Sequence, residues 1–167
     1  MVAMFPPDIY DLAHKVIENG VAQKRRITAA ESCTGGLIAG ALTEISGASD
    51  VFERGFVTYS NAAKSEQLGV PAALIDGHGA VSAEVAEVMA EGALQHSQAD
   101  IAVSATGIAG PTGGTAVKPV GLVYIGVATR SGSVFHFKCL FKGDRHDIRM
   151  QTVREALRLL LSLAAND

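Results

Sequence analysis

The sequence predicts an α/β fold: a three-layer α/β/α domain on a mixed, mostly parallel sheet. Two observations carry that prediction. First, short extended runs (Arg26 to Ala30, Gly55 to Ser60, Ile101 to Ala105) alternate with runs whose apolar residues recur at helical spacing. Strands that alternate with helices in this way pair in parallel and need helices on both faces of the sheet. Second, Pro119 to Thr129 and Val134 to Phe141 flank Ser131-Gly132-Ser133, a hairpin signal that adds antiparallel strands late in the chain.

Each element has its own warrant. Pro6-Pro7-Asp8 opens a helix with Asp8 as its cap, apolar Ile9, Leu12, Ala13, Val16 and Ile17 on one face, and Gly20 as its end. Arg26 to Ala30 reads as a first, buried strand. Leu37, Ile38, Ala41, Leu42 and Ile45 form one face of a second helix, closed by Gly47. After the strand Gly55 to Ser60, Asn61 caps a short helix through Gln67, with Gly69 as its stop. Pro71 to Val81 reads as irregular or weakly helical, and Ser82 caps a longer helix carrying Val85, Val88, Met89 and Ala93. Asp144 caps the last helix, whose core face holds Met150, Val153, Leu157, Leu160, Leu161 and Ala164.

Composition narrows the function classes. With 167 residues, 48% of them hydrophobic, residues 1–167 are expected to form a single domain around one core. The net charge is −3, and Lys24-Arg25-Arg26 is the only tight basic cluster, so nucleic acid is not an expected partner. No apolar run approaches the ~18 residues that span a bilayer. Met1 to Asp8 lacks the regions of a signal peptide. Two cysteines far apart in sequence, Cys33 and Cys139, fit reduced thiols and a cytoplasmic location. His136, His146, Asp144 and Asp147 lack a compact ligand spacing, so no metal site is expected.

The chemistry concentrates at three strand ends. Ala30-Glu31-Ser32-Cys33-Thr34-Gly35-Gly36 lies where a strand turns into a helix. A helix start presents unpaired N–H groups and partial positive charge, so this turn can offer both a nucleophile and an anion site. The local pattern of Ser32 also fits an ordinary N-cap serine. As a nucleophile Ser32 needs a base, and Lys64 could supply one if burial kept it neutral; alone, Lys64 fits a solvated lysine equally well. Cys33 is a rival nucleophile, but neighbours on a strand face opposite ways. Tyr59 could relay a proton or hold Lys64 and Ser32 in line. Glu31 is either a satisfied strand-end carboxylate or a site ligand. The loop from Thr106 and Gly107 through Gly110 to Gly114 can cradle a phosphate with backbone N–H groups, although it has neither Walker A nor dinucleotide-binding spacing. Arg145 could clamp a phosphate or carboxylate. Ligands of open α/β sheets bind beyond the C-terminal strand ends, where these segments are expected to meet.

Taken together, the segments resemble the CinA C-terminal domain family, whose members include nicotinamide mononucleotide deamidases. The resemblance rests on Thr28 to Gly36, Phe52 to Asn61 with Lys64, and His78-Gly79-Ala80-Val81-Ser82. It continues through Gly107-Ile108-Ala109-Gly110-Pro111 with Gly113-Gly114, Lys118-Pro119-Val120-Gly121 and Gly143-Asp144-Arg145. It implies an α/β/α domain that hydrolyses the nicotinamide amide to nicotinic acid mononucleotide and ammonia. The family's serine, tyrosine and lysine fall on Ser32, Tyr59 and Lys64, and its arginine on Arg145. The N–H groups of Thr34, Gly35 and Gly36 are then expected to hold the oxyanion. The 5′-phosphate is expected at the glycine-rich loop (Thr106, Gly107, Gly110) or at Arg145, with Glu31 as a further substrate contact. No metal or organic cofactor is expected. The expected partner is the nucleotide substrate, with a homodimer or higher homo-oligomer as the assembly. Many relatives carry a further N-terminal domain resembling molybdopterin-binding proteins, which this chain is expected to lack. The alternative reading is a non-catalytic module that binds pyridine nucleotides for regulation.

Overall fold

A computed structural model describes residues 3–164. The elements follow in the order α1 (Pro7–Gln23), β1 (Ile27–Glu31), α2 (Leu37–Thr43), a 3₁₀ turn (Ala48–Asp50), β2 (Phe52–Val57), α3 (Asn61–Leu68), α4 (Ala72–His78), α5 (Ala83–Gln95), β3 (Ile101–Gly107), β4 (Leu122–Thr129), β5 (Val134–Leu140) and α6 (Arg145–Ala164). The five strands form one sheet in the order β2-β1-β3-β4-β5. β1 pairs in parallel with both β2 and β3, while β4 is antiparallel to β3 and to β5. The sheet is therefore mixed, as the sequence predicts, and four of its strands share one direction.

Two apolar clusters flank the sheet. One joins α1, α2 and α6 through Ile9, Val16, Ile38, Leu42, Val153 and Leu157 to Val103 and Ile125 of the sheet. The other joins α3, α4 and α5 through Leu68, Ile75, Val85 and Met89 to Ala30, Ala102 and Ala128. Chain direction reverses around β1: β2 lies on one side of it and β3 on the other. This is the switch point at which an open α/β sheet leaves a crevice beyond its strand ends.

Several boundaries differ from the sequence reading. α1 runs past Gly20 to a C-cap at Lys24, itself in the left-handed region at φ 54°. Gly20 is buried in that helix, where an added Cβ would collide with Val51. Asp8 does not cap α1; its carboxylate pairs with Arg154 of α6. Ser60, not Asn61, caps α3, accepting from Ala63 N at 3.0 Å. A serine in extended conformation at the end of an incoming strand outcompetes an asparagine already in the helix. Residues 72–78 are helical. Ser82 caps α5 as predicted. So does Asp144 for α6, in a reciprocal box with Asp147 at 2.9 and 3.0 Å. The side chain of Ala164, expected on the core face, lies outside those described.

Candidate active site

β1 delivers Ser32 one residue beyond its end. The turn that holds it is tied to both neighbours: Ser32 N donates to Ala105 O and Thr58 N donates to Glu31 O, each at 2.9 Å. Gly35 and Gly36, at φ 57° and 99°, then reverse the chain into α2, a conformation that strains residues with a Cβ.

Glu31 explains why the turn is rigid. Its side chain is 1% exposed. Its carboxylate accepts from Gly36 N (3.1 Å), Ile38 N (3.0 Å) and Ala39 N (2.8 Å). Glu31 therefore satisfies the N-terminus of α2 with a full charge. This corrects two expectations. Glu31 faces α2 and not the cleft, and the N–H of Gly36 is already committed. Gly35 N is also committed, donating to Ser32 O at 3.0 Å. The N–H groups of Cys33 and Thr34, in contrast, donate to no protein oxygen among the described residues. Of the two, Cys33 borders the cleft, whereas Thr34 is fully buried.

Lys64 lies in the first turn of α3 and points inward, with 1% exposure. Its Nζ is 3.1 Å from Ser32 Oγ and donates to the Thr58 carbonyl at 3.0 Å. No carboxylate pairs with it among the described residues. Burial pulls its pKa below the ordinary lysine value, opposed only by the nearby Cys33 thiol. A neutral amine with one N–H committed to Thr58 O keeps its lone pair for the Ser32 hydroxyl proton. That is the arrangement a general base requires. The Thr34 and Thr58 hydroxyls are buried with no hydrogen-bond partner among the described residues.

Cys33 is a core group. Its side chain is buried in the cluster beneath α2 and α6, and desolvation pushes its thiol up to about 12. A thiol held that far from ionisation is a poor nucleophile.

One cleft of about 230 Å³ is lined by Ser32, Cys33, Tyr59, Asn61, Lys64, Ala80, Val81, Thr106, Gly107, Ala109 and Arg145. Six predicted residues thus meet: Ser32, Tyr59, Lys64, Thr106, Gly107 and Arg145. Tyr59 is 60% exposed, and its hydroxyl accepts from Arg145 Nη2 at 2.8 Å, so it contacts Arg145 where the sequence reading placed it beside Lys64. Arg145 Nη1 donates to the Gly110 carbonyl at 2.7 Å. Gly110 thus acts through Arg145, while Thr34, Gly35 and Gly36 lie outside the lining. Thr106 Oγ1 donates to Ala80 O at 2.8 Å and fixes the far wall. Gly107 has no room for a side chain: a Cβ there would sit 2.6 Å from a Val123 methyl. A second cleft, about 600 Å³, shares Ala109 and Arg145 with the first and continues past Val120 to His146 and Arg149.

Sequence reasoning missed Arg149 and Lys118. Arg149 reaches the turn after Ser32, with Nε on Cys33 O at 3.1 Å and Nη2 on Thr34 O at 3.2 Å. Its signal was present, since it falls four residues after Arg145 on one helix face. Lys118 Nζ bonds the carbonyls of His78 (2.6 Å) and Val81 (2.8 Å), locking the glycine-rich loop to the Ala80–Val81 wall. No local pattern announces that long-range pair.

The fold and site define an α/β protein with a serine–lysine pair at the switch point of its sheet. Residues 9–164 match the CinA C-terminal domain, and the chain belongs to that family. It is 51% identical over 148 residues to a protein of Enterobacter agglomerans named nicotinamide-nucleotide amidohydrolase PncC, covering 87% of this chain and 90% of that one. A protein of Shigella flexneri with the same name is 45% identical over 157 residues, covering 94% and 95%. Other relatives are longer. A putative competence-damage inducible protein of Caldicellulosiruptor bescii is 50% identical over 157 residues, and the matched region spans 38% of its length. Among solved structures, the competence/damage inducible protein CihA of Agrobacterium tumefaciens superposes with a TM-score of 0.95 at 50% identity, covering 97% of this chain and 99% of that one.

Proposed function

We propose that this chain is an amidohydrolase that converts nicotinamide mononucleotide to nicotinic acid mononucleotide and ammonia. The observation that carries the reading is the 3.1 Å approach of a buried lysine, with no carboxylate partner among the described residues, to Ser32 Oγ. The names of the Enterobacter agglomerans and Shigella flexneri relatives support the substrate.

Ser32 Oγ attacks the carboxamide carbon while Lys64 Nζ takes the hydroxyl proton. The carbonyl π pair becomes an oxyanion, held by the N–H of Cys33 at the cleft wall. Collapse breaks the C–N bond, and the proton on Lys64 passes to the departing nitrogen to give ammonia. A water then attacks the acyl-serine ester, giving one proton to Lys64; Lys64 returns it to Ser32 Oγ as the ester bond breaks, and the carboxylic acid released ionises to solvent. Losing one oxyanion donor costs about 3 kcal/mol in such reactions. Arg145, steadied by Tyr59 and Gly110, faces the phosphate side, and the pyridinium charge activates the amide. The reaction needs neither metal nor organic cofactor. Residues 1–167 act as one domain, in a cytoplasmic homodimer or higher homo-oligomer.

The test is ammonia release from nicotinamide mononucleotide by the purified chain, with free nicotinamide and Ser32→Ala in parallel. Turnover of the nucleotide alone, lost in Ser32→Ala, is the expected result. Folded protein that binds the nucleotide but releases no ammonia would leave a regulatory binding module in place of the enzyme.

A further inference from the structure

We propose that Arg149 is a positioning residue for the oxyanion donor: it holds the turn after Ser32 so that the N–H of Cys33, which borders the cleft, stays open. The inference rests on the serine-nucleophile reading above.

The argument is one of peptide geometry. In a trans peptide the C=O and N–H of one unit point in opposite directions. Arg149 Nε draws the Cys33 carbonyl towards α6 at 3.1 Å, which turns the Thr34 N–H of the same unit away from α6. Arg149 Nη2 draws the Thr34 carbonyl the same way at 3.2 Å. The Gly35 N–H of that unit accordingly points opposite and reaches the Ser32 carbonyl at 3.0 Å. That bond occupies the Ser32 carbonyl, whose peptide partner is the Cys33 N–H. Each of the two units following Ser32 thus has its carbonyl engaged and its N–H uncommitted. The N–H of the residue after a nucleophilic serine is a recurrent oxyanion donor.

The guanidinium suits this task because its planar fork reaches two adjacent carbonyls from one stem. The pairs around it explain the division of labour on α6. Arg145, one turn earlier, reaches Tyr59 and Gly110 on the opposite wall of the cleft, whereas the hydrogen bonds of Arg149 go to the backbone of the turn after Ser32.

The test compares the full chain with Arg149→Met and Arg149→Lys in two assays. One is turnover of nicotinamide mononucleotide, the other covalent labelling of Ser32 by a fluorophosphonate. In labelling, Ser32 Oγ bonds to phosphorus, fluoride leaves, and Lys64 takes the hydroxyl proton; the phosphoryl oxygen needs the same Cys33 N–H. Arg149→Met is expected to lower kcat by about 10²-fold, with KM moving less than about threefold, and to slow labelling comparably. The pH at which the rate rises stays put, because Lys64 is untouched. Arg149→Lys, which can still reach one carbonyl, is expected to recover part of kcat, and it carries the test alone if Arg149→Met does not fold. A loss confined to KM, with labelling intact, overturns the proposal and makes Arg149 a substrate ligand. Labelling that depends on Arg149 in a chain inactive on the nucleotide would sustain the inference and reject the proposed substrate. A folded chain whose Ser32 resists the probe would reject both.

Discussion

Lys64 loses its water on folding and has no carboxylate partner among the described residues, so folding shifts its balance towards the neutral form. Between the depressed Lys64 pKa and the ordinary value of 10.5, the unfolded chain binds the proton that the folded chain has released. Stability therefore rises with pH through that window and is weakened below it. Replacing Lys64 with Met keeps the volume and removes the titration. Lys64→Met is expected to lower kcat by about 10³-fold and to raise stability at neutral pH by about 1 kcal/mol. Urea unfolding across pH should then lose the rise seen in the unaltered chain. In the active chain, kcat should climb with pH to a plateau with a midpoint below the ordinary lysine range. Cys33 supplies the opposite case. Its thiol is buried and pushed up to about 12, so iodoacetamide at mild pH should leave both Cys33 and turnover intact, as read by peptide mass mapping and ammonia release. Inhibition that tracks Cys33 modification would return the thiol to contention as nucleophile. The sequence named the serine–lysine pair but not its environment. Burial of Lys64 depends on α3 starting directly behind β2, a tertiary fact that residue type does not encode.

At the level of the element, α2 is a seven-residue helix whose start is stabilised from within. So short a helix has little stability of its own, and three of its N-terminal amides depend on the Glu31 carboxylate. Glu31→Gln keeps the shape and one acceptor oxygen but removes the charge. It should cost about 2 kcal/mol in chemical unfolding and lower turnover as the turn loosens. An unchanged midpoint would show that the carboxylate is not what secures α2. The alternation of strand and helix was legible here because apolar periodicity is a local property. The direction of Glu31 was not, because it follows from two successive left-handed glycines that fold the helix start back over the strand end. The same limit applies to the boundary errors. Gly20 reads as a stop in isolation, yet close packing against Val51 asks for a glycine inside the helix. Residues 72–78 form a helix too short for periodicity to reveal.

Across the whole molecule, the sheet places Ser32, Lys64 and Thr106 together although they come from three separate segments. Parallel pairing sets Glu31 level with both Val57 and Ala105, so the chain leaves β1, β2 and β3 at one rim. That convergence was legible from the sequence, since it follows from parallel strands alone. The pairing of Lys118 with the 78–81 wall was not, because a lysine bonded to two carbonyls leaves no trace in either segment. The outer strands β2 and β5 each keep an unpaired edge in the single chain. Sedimentation equilibrium is expected to give at least about twice the 17.3 kDa chain mass, as symmetric pairing is common among proteins of this size. A mass equal to one chain would remove the proposed oligomer.

The turn that follows β1 has a consequence for isotope exchange. Its amides fall into two kinds within eight residues. Those of Ser32, Gly35, Gly36, Leu37, Ile38 and Ala39 are bonded internally, whereas that of Cys33, at the cleft, has no acceptor among the described residues. Deuterium should enter at Cys33 while the bonded amides stay protected, leaving a one-residue notch in an otherwise slow profile. A covalent phosphonate adduct at Ser32 would give that amide an oxygen to hold, and the notch should close. The state of the turn would then be readable from the exchange of a single hydrogen, without any turnover at all.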